Sequence, residues 1–358
     1  MKIDIIGTYP PPIGGTSIHL QRLYDICIKN GLEARILDTH GRECAEGDCR
    51  NIVHIKNYRK FMFKYFFDAS ADIIHSHSHS WVDRMVLTCK AKLCRQKIVF
   101  TFHSFRDEYA KFSLIQKFSV SVAKKLADYF IATSSHVGEK LEKWRVSREK
   151  ISVINPFILP DDSIERNLDE EIESQIRDFS YILCANASNN NHYAGQDLYG
   201  LDMCMQLQAQ LQQKYDCCFV YVLTKITDEA YFEQMRHKID ELGIKDRFIL
   251  VTKPIDFLAL VMRASICVRP TNTDSWALTI SEALYLKCPV VASDVCIRED
   301  GCILFENRNQ QDFNKKTDEV LNDLSFYREK INDIIVKDES SKIFDIYRRI
   351  TSGCSYEK

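Results

Sequence analysis

The chain has 358 residues, 45% of them hydrophobic and 27% charged, which is too long for one ordinary core and suits two. Twelve Gly and eight Pro are too few for a linker-rich or disordered protein, and no apolar run reaches the roughly 18 residues that a membrane-spanning helix needs. The net charge of −2 hides an asymmetry: residues 1–160 hold 25 Lys and Arg against 16 Asp and Glu, residues 161–358 hold 23 against 34. The basic half predicts an anionic partner, nucleic acid or a membrane surface.

The opening run, Ile3 to Ile6, reads as a strand ending in a glycine turn, without the longer apolar region of a secretory signal. Most of the 14 Cys lie in apolar runs, as at Cys184, Cys217, Cys218 and Cys267, where a thiol behaves as a small hydrophobe in a reducing compartment. The expected address is therefore the cytoplasm. Cys44 with Cys49 and Cys89 with Cys94 are too widely spaced for a zinc knuckle.

Apolar runs then alternate with helical stretches: Ala34–Leu37, Ile52–Ile55, Asp72–His77, Ile98–His103, Tyr129–Thr133 and Ile151–Ile154. Strands alternating with helices predict a parallel sheet. Residues 161–179 are acidic and weakly periodic, and read as a linker in which Ile172 and Ile176 permit a short helix. The rhythm restarts with strands at Tyr181–Ala185, Cys218–Leu223, Phe248–Thr252, Ile266–Arg269 and Val290–Ala292, and a long helix from Leu198 to about Tyr215. Beyond Phe313 only Ile334–Val336 carries a strand signal. The organisation expected is an N-terminal domain at 1–160, a C-terminal domain at 180–335, and a helical segment at 336–358 packing back on the first. Both domains are α/β, doubly wound and Rossmann-like, and their strand ends are expected to face one cleft, where open sheets bind ligands.

Functional residues should follow strands. After the first, Gly14-Gly15-Thr16 opens a helix whose unpaired N–H groups suit a phosphate or sugar hydroxyl; without Gly-x-Gly-x-x-Gly, a dinucleotide oxidoreductase loses ground. His75, His77 and His79 alternate at a strand end, an arrangement that invites a metal, yet no carboxylate or cysteine joins them, and hydrogen bonding to substrate or backbone is the plainer reading. His103 ends another buried run. In the second half a strand enters the polar loop Arg269-Pro270-Thr271-Asn272-Thr273-Asp274-Ser275, and a helix opens near Trp276 with Glu282 along it. Taken as bare chemistry, Asp274 is an N-terminal cap and Glu282 an ordinary helix glutamate.

The segment Asp274 to Glu282, continued by Ala283 to Ser293 with its Pro289-Val290-Val291-Ala292 tail, resembles the acidic-x7-Glu motif of retaining GT-B glycosyltransferases, the glycosyl-transferase group 1 family. Gly14-Gly15, Asp72-Ile73-Ile74-His75-Ser76-His77, Thr101-Phe102-His103 and Val153-Ile154-Asn155-Pro156 fall in that family's order. The resemblance implies that Glu282 holds the nucleotide ribose, that Asp274 contacts donor-sugar hydroxyls, that Ser275, Trp276, Ala277 and Leu278 lie against sugar and diphosphate, and that His103 stands beside the reacting centre. His77, Asn186 and Asn272 join the expected substrate contacts. Retention in this family is attributed to front-face displacement, in which the leaving diphosphate helps deprotonate the acceptor.

Departures from the family pattern are local. Asp274 stands for the usual Glu and Ser275-Trp276-Ala277 for Gly-Phe-Gly. The loop after Cys184 has Ala194 where the family places a diphosphate-binding lysine, and it has no Arg. His192, Lys225, Lys253 and Arg269 are candidates for the missing charge. No Asp-x-Asp occurs, so neither a metal nor another cofactor is expected.

The helix predicted over Tyr58–Phe67 turns Tyr58, Phe61, Met62, Tyr65 and Phe66 to one face and leaves Phe63 and Phe67 beside Arg59, Lys60 and Lys64, the basic-aromatic mix of an interfacial helix. No nucleic-acid signature accompanies the charge. The expectation is a cytoplasmic enzyme, at the inner face of the membrane, moving sugar from a nucleoside diphosphate donor to a glycan or lipid-linked glycan in capsular or O-antigen-type biosynthesis. A non-catalytic nucleotide-sugar-binding subunit and a sugar-nucleotide epimerase are the alternatives.

Overall fold

The computed structural model describes residues 1–40, 51–105 and 107–352; Cys44 and Cys49 lie outside the described residues. It divides into two units, one of Met1–Pro11, Thr16–Pro160 and the segment from Asp338, the other of Pro12–Gly15 and Asp161–Lys337.

The first unit runs β1 (Lys2–Gly7), α1 (Gly15–Lys29), β2 (Glu33–Asp38), β3 (Ile52–His54), α2 (Tyr58–Tyr65), β4 (Ile73–Ser76), α3 (Trp81–Leu93), β5 (Lys97–Phe102), α4 (Leu114–Leu126), β6 (Tyr129–Ala132), α5 (Ser135–Lys143) and β7 (Ile151–Val153). Its sheet is parallel in the order β3-β2-β1-β4-β5-β6-β7. The chain winds outward from β1 to β3, returns, and winds the other way from β4, so the direction reverses between β1 and β4.

Helices cover both faces, and the strands are accordingly mostly apolar. Ile3 and Ile5 pack with Leu20, Leu23 and Cys27 of α1, whereas Ile6 and Ile74 pack with residues of α3, α4 and α5 such as Leu87, Val120 and Leu141. Asp4 in β1 is buried because it is satisfied three times over: Arg35 donates twice, at 2.9 and 2.7 Å, and the Tyr65 hydroxyl donates at 2.7 Å. Gly7 ends β1 where a Cβ would come within 2.5 Å of Leu20 Cδ1 and 3.3 Å of His77 Cβ, so a larger residue there would have to displace the Leu20 side chain.

The second unit runs α6 (Glu170–Ile176), β8 (Tyr181–Ala187), β9 (His192–Tyr193), β10 (Gln196–Asp197), α7 (Leu201–Leu211), β11 (Cys217–Leu223), α8 (Glu229–Glu241), β12 (Phe248–Val251), α9 (Phe257–Arg263), β13 (Ile266–Arg269), α10 (Leu278–Tyr285), β14 (Val290–Ser293), β15 (Cys302–Phe305), α11 (Gln310–Asn322) and α12 (Leu324–Asn332). Its main sheet is also parallel, in the order β12-β11-β8-β13-β14-β15, with the reversal between β8 and β13.

Three sequence readings are corrected here. The acidic stretch carries α6, capped by Asp169, whose Ile172 and Ile176 are buried in the second unit's core, so it is part of that unit rather than a free linker. Ile334–Val336 is not a strand but an irregular segment packed on the same core. The strand that completes the sheet is β15, a four-residue edge strand too short and mixed to stand out. Free thiols at Cys184, Cys217, Cys218 and Cys267 are buried, and burial pushes the Cys218 thiol up to about 12.

The last described element is α13 (Ser340–Ser352), whose Ile343, Ile346 and Tyr347 pack with Ile3, Ile5 and Leu23 in the first unit. Asp338 and Glu339 secure its entry by accepting from the Leu159 and Asn155 backbone amides, each at 2.9 Å. The Tyr347 hydroxyl meets His75 Nδ1, while His75 Nε2 lies 2.7 Å from Thr101 Oγ1. Burial, then the neighbouring His19, lowers the His75 pKa to about 3.

Tyr347→Phe is expected to cost about 1–3 kcal/mol by leaving a buried imidazole nitrogen unpaired, and Tyr347→Ala about 3–5 kcal/mol by also opening a cavity; urea unfolding midpoints check both. Because the unfolded chain takes up a proton at His75 near pH 6.5 and the folded chain resists it to about 3, stability is expected to fall as pH drops through that window, at about 1.4 kcal/mol per pH unit for this group. Unfolding curves from pH 7 to pH 4 measure the slope.

Candidate active site

In the first unit the polar groups gather where β1, β4 and β5 end. The helix opens at Gly15; Gly14 and Thr16 are partly exposed and Gly15 is exposed. One turn on, His19 is buried with Nδ1 2.6 Å from the Pro156 carbonyl. β4 stops at Ser76, so the three alternating histidines do not share a strand face: His75 is consumed by Thr101 and Tyr347, His79 is exposed, and His77 turns inward. His77 Nδ1 lies 2.9 Å from His103 Nε2 at the end of β5, and the His77 ring stacks on His75 at 4.5 Å. The His19 ring stands 4.9 Å from that of His103 and 5.4 Å from that of His77. Burial lowers the His19 pKa to about 4 and holds His77 and His103 well below the ordinary value, helped by the other imidazoles. All are neutral at pH 7.

In the second unit the loops after β8, β13 and β14 converge on one ion-pair network. Asp274 Oδ2 accepts from Arg269 Nε at 3.3 Å, Arg298 Nη1 at 3.1 Å and Thr271 Oγ1 at 3.3 Å, while Oδ1 accepts from the Ser275 amide at 3.1 Å. Arg269 also donates to Asn186 O and Oδ1, and Thr279 donates to Asn186 Oδ1 at 2.8 Å. The Arg298 side chain is only 2% exposed, with Nε on the Ser293 carbonyl at 3.0 Å. Burial alone would raise the Asp274 pKa, but the two guanidiniums outweigh it and hold the carboxyl below its usual range.

The carboxylate expected on donor hydroxyls is thus committed within the protein, to the two cations. Helix α10 begins at Leu278, later than expected, with Ala277 as its cap and Glu282 buried at its fifth residue. Trp276 Nε1 donates to Ser281 Oγ at 3.2 Å. Trp276, Ala277, Ile280 and Arg298 border a shallow hollow open to solvent. Leu278 and Asn272 are buried, and the Asn272 amide donates to the Tyr193 carbonyl at 2.9 Å. Gly200 (φ +72°) opens α7 where a Cβ would fall 2.5 Å from the Pro270 carbonyl, which lets the β13 exit loop lie against that turn.

The other candidates for the missing charge are scattered. Lys253 is corrected: it is exposed and paired with Asp169 and Glu171 at 2.9 and 2.6 Å, fastening the start of α6. Lys225 is exposed beyond β11. His192 is exposed, its ring 4.4 Å from that of Tyr231. Ala194 and Gly195, with φ of +51° and +75°, form the two-residue turn of the β9–β10 hairpin, the backbone shape that primed turns require. Sequence reading missed Arg298. The signal available was its place: a lone arginine in the loop after Val290–Ser293, the strand next to the one that leads into the Asp274 loop.

Residues 13–162 match the family described as Glycosyltransferase Family 4, and residues 192–323 match Glycosyl transferases group 1. No curated protein matches at a significant level. Among solved structures, sucrose-phosphate synthase from Thermosynechococcus elongatus superposes with a TM-score of 0.74 at 16% identity, covering 99% of this chain and 100% of its own. HepE from Anabaena, in complex with UDP-glucose, gives 0.67 at 14% identity, with 98% and 100% covered. The lipopolysaccharide outer core galactosyltransferase WaaB gives 0.60 at 15%, with 98% and 100% covered. Each unit carries a doubly wound parallel sheet, each half matches a glycosyltransferase family, and the fold is shared from end to end: the chain is a glycosyltransferase of the GT-B fold.

Proposed function

We propose that the protein transfers a sugar from a nucleoside diphosphate donor, with retention and without a metal, onto a lipid-linked glycan of a cell-surface polysaccharide. The observation that carries the donor side is the pair of guanidiniums, Arg269 and Arg298, that Asp274 holds at the carboxyl edge of the second sheet. A diphosphate leaving group is an anion, and fixed cations aimed at developing charge in a water-poor site are the largest stabilising influence available to such a reaction. Arg269 and Arg298 supply the charge that Ala194 cannot, and Asp274 is a positioning residue that fixes both planes. Glu282 accepts from the ribose hydroxyls, and Trp276 with Ala277 borders the sugar. The proton of the attacking acceptor hydroxyl passes to the departing diphosphate as the new glycosidic bond forms on the same face, so no protein nucleophile is needed. His103, neutral, offers a hydrogen bond rather than a charge. HepE, solved with UDP-glucose, and WaaB, described as a lipopolysaccharide galactosyltransferase, support donor and acceptor class respectively.

The acceptor side rests on two exposed apolar-basic surfaces of the first unit. Helix α2 stops at Tyr65, two residues short of the expectation; Phe63 within it and Phe67 in the turn after it are 76% and 68% exposed near Lys60 and Lys64, and α4 presents Leu114, Ile115 and Phe118 at 84%, 68% and 63% near Lys117. Both helices pack on the same face of the sheet. Lysines flanking exposed aromatic and aliphatic side chains suit an anionic leaflet.

The hairpin turn at Ala194 favours one other reading, a donor-binding subunit without turnover. A donor panel followed by product analysis decides: transfer with retained anomeric configuration, undiminished by EDTA, is expected. Binding without turnover on any acceptor would point to the subunit, and interconversion of the donor alone to an epimerase. Glu282→Ala is expected to abolish transfer with a raised donor Kd. Arg298→Ala should lower kcat by about 10²–10³-fold, with circular dichroism confirming the fold. Lys60→Glu/Lys64→Glu is expected to weaken sedimentation with phosphatidylglycerol vesicles by at least about 10-fold; equal pelleting removes α2 from the membrane contact.

A further inference from the structure

The three imidazoles where β1, β4 and β5 end are assembled like a ligand set. His19 supplies the clearest sign. Its Nδ1 faces a carbonyl oxygen, Pro156 O, at 2.6 Å; a carbonyl only accepts, so Nδ1 carries the proton and Nε2 of the neutral ring is a bare lone pair. That Nε2 is buried and has no hydrogen-bond partner. An imidazole that donates one N–H to a backbone carbonyl while aiming the other nitrogen inward is the outer-shell arrangement of metal-ligating histidine.

His77 Nε2 is likewise buried without a partner; His77 Nδ1 lies 2.9 Å from His103 Nε2, a contact that holds one proton between two ring nitrogens and gives way when a cation takes one of them. One nitrogen each from His19, His77 and His103 lies within 4.8 Å of the others, the single such group among the described residues. A tetrahedral cation with Zn–N distances of about 2.0–2.1 Å requires the rings to draw in by about 1 Å. His103 is only half-buried, just past the end of β5, and three imidazoles leave the fourth position of a tetrahedral cation to water or another ligand. His75, with both nitrogens already bonded, backs the His77 ring without ligating.

We propose that His19, His77 and His103 form a three-imidazole site for a late first-row divalent cation, zinc the foremost. Neutral nitrogen donors with no carboxylate among them select zinc, cobalt, nickel or copper over magnesium and calcium. On the reading that His103 serves the reacting centre, a cation holding its imidazole suppresses transfer, so the site inhibits rather than assists; cation binding itself does not depend on that reading.

The test uses the full chain stripped of metal and titrated with Co²⁺ and Zn²⁺. One equivalent is expected to give the visible absorption of four- or five-coordinate cobalt with nitrogen ligands, displaced by Zn²⁺, and Zn²⁺ is expected to raise the Tm. His19→Gln and His77→Gln should each weaken binding by on the order of 100-fold, whereas exposed His237→Gln should not. The Tm of each metal-free variant shows that it folds, and His19→Cys, which restores a ligand, should recover stoichiometric binding with a thiolate-to-cobalt band. A purely six-coordinate spectrum, a thiolate band in the wild type, or undiminished binding in folded His19→Gln overturns the site. Loss of zinc inhibition with binding intact would leave the site and remove only the role given to His103.

Discussion

A parallel sheet with helices on both faces can hold a polar side chain along its strands only where a partner satisfies it, as Arg35 and Tyr65 do Asp4, and so gathers most of its polar groups at the strand ends. Inside each sheet, strands such as Cys217–Leu223 are buried along their whole length. Chemistry is therefore confined to the loops that leave the carboxyl ends, and among these to the loops flanking the reversal of strand order, where successive crossovers diverge and leave room. In the first unit that place holds the histidines; in the second it holds Asp274 with its two arginines.

The two clusters answer the same difficulty in opposite ways. A buried polar group must be paired or neutral. The second unit pairs: the Asp274 carboxylate is ionised between two guanidiniums, and each arginine finds further oxygens on Asn186, Thr271 or Ser293. The first unit neutralises: with His75, His77 and His103 packed side by side, burial and mutual repulsion keep the imidazoles uncharged. The second unit thus holds fixed charge and the first a set of uncharged imidazoles, although their sheets share one design.

Much of this was legible in the residues. Period and length of the apolar runs located most of the strands of the two parallel sheets to within one or two residues, because a strand buried on both faces leaves an uninterrupted apolar signature. The acidic-x7-Glu resemblance drew attention to the β13–α10 corner, where the structure places the ion pairs of Asp274. What escaped was short or indirect. β15 is four residues at a sheet edge, the β9–β10 hairpin is two residues a side, and α6 was obscured by its acidic composition.

Residue order alone determined the class of fold, the repeat of one architecture in two halves, and which loops would be polar, since these depend on hydrophobic period and on turn chemistry that act over a few neighbouring positions. Only the tertiary structure decided the partners: that Asp274 faces Arg298 from the next loop, that Lys253 is spent on α6, that His19 joins His77 and His103, and that Tyr347 closes on His75 from 272 residues away. Pairing across strands is set by sheet order and register, and those emerge from packing the whole chain.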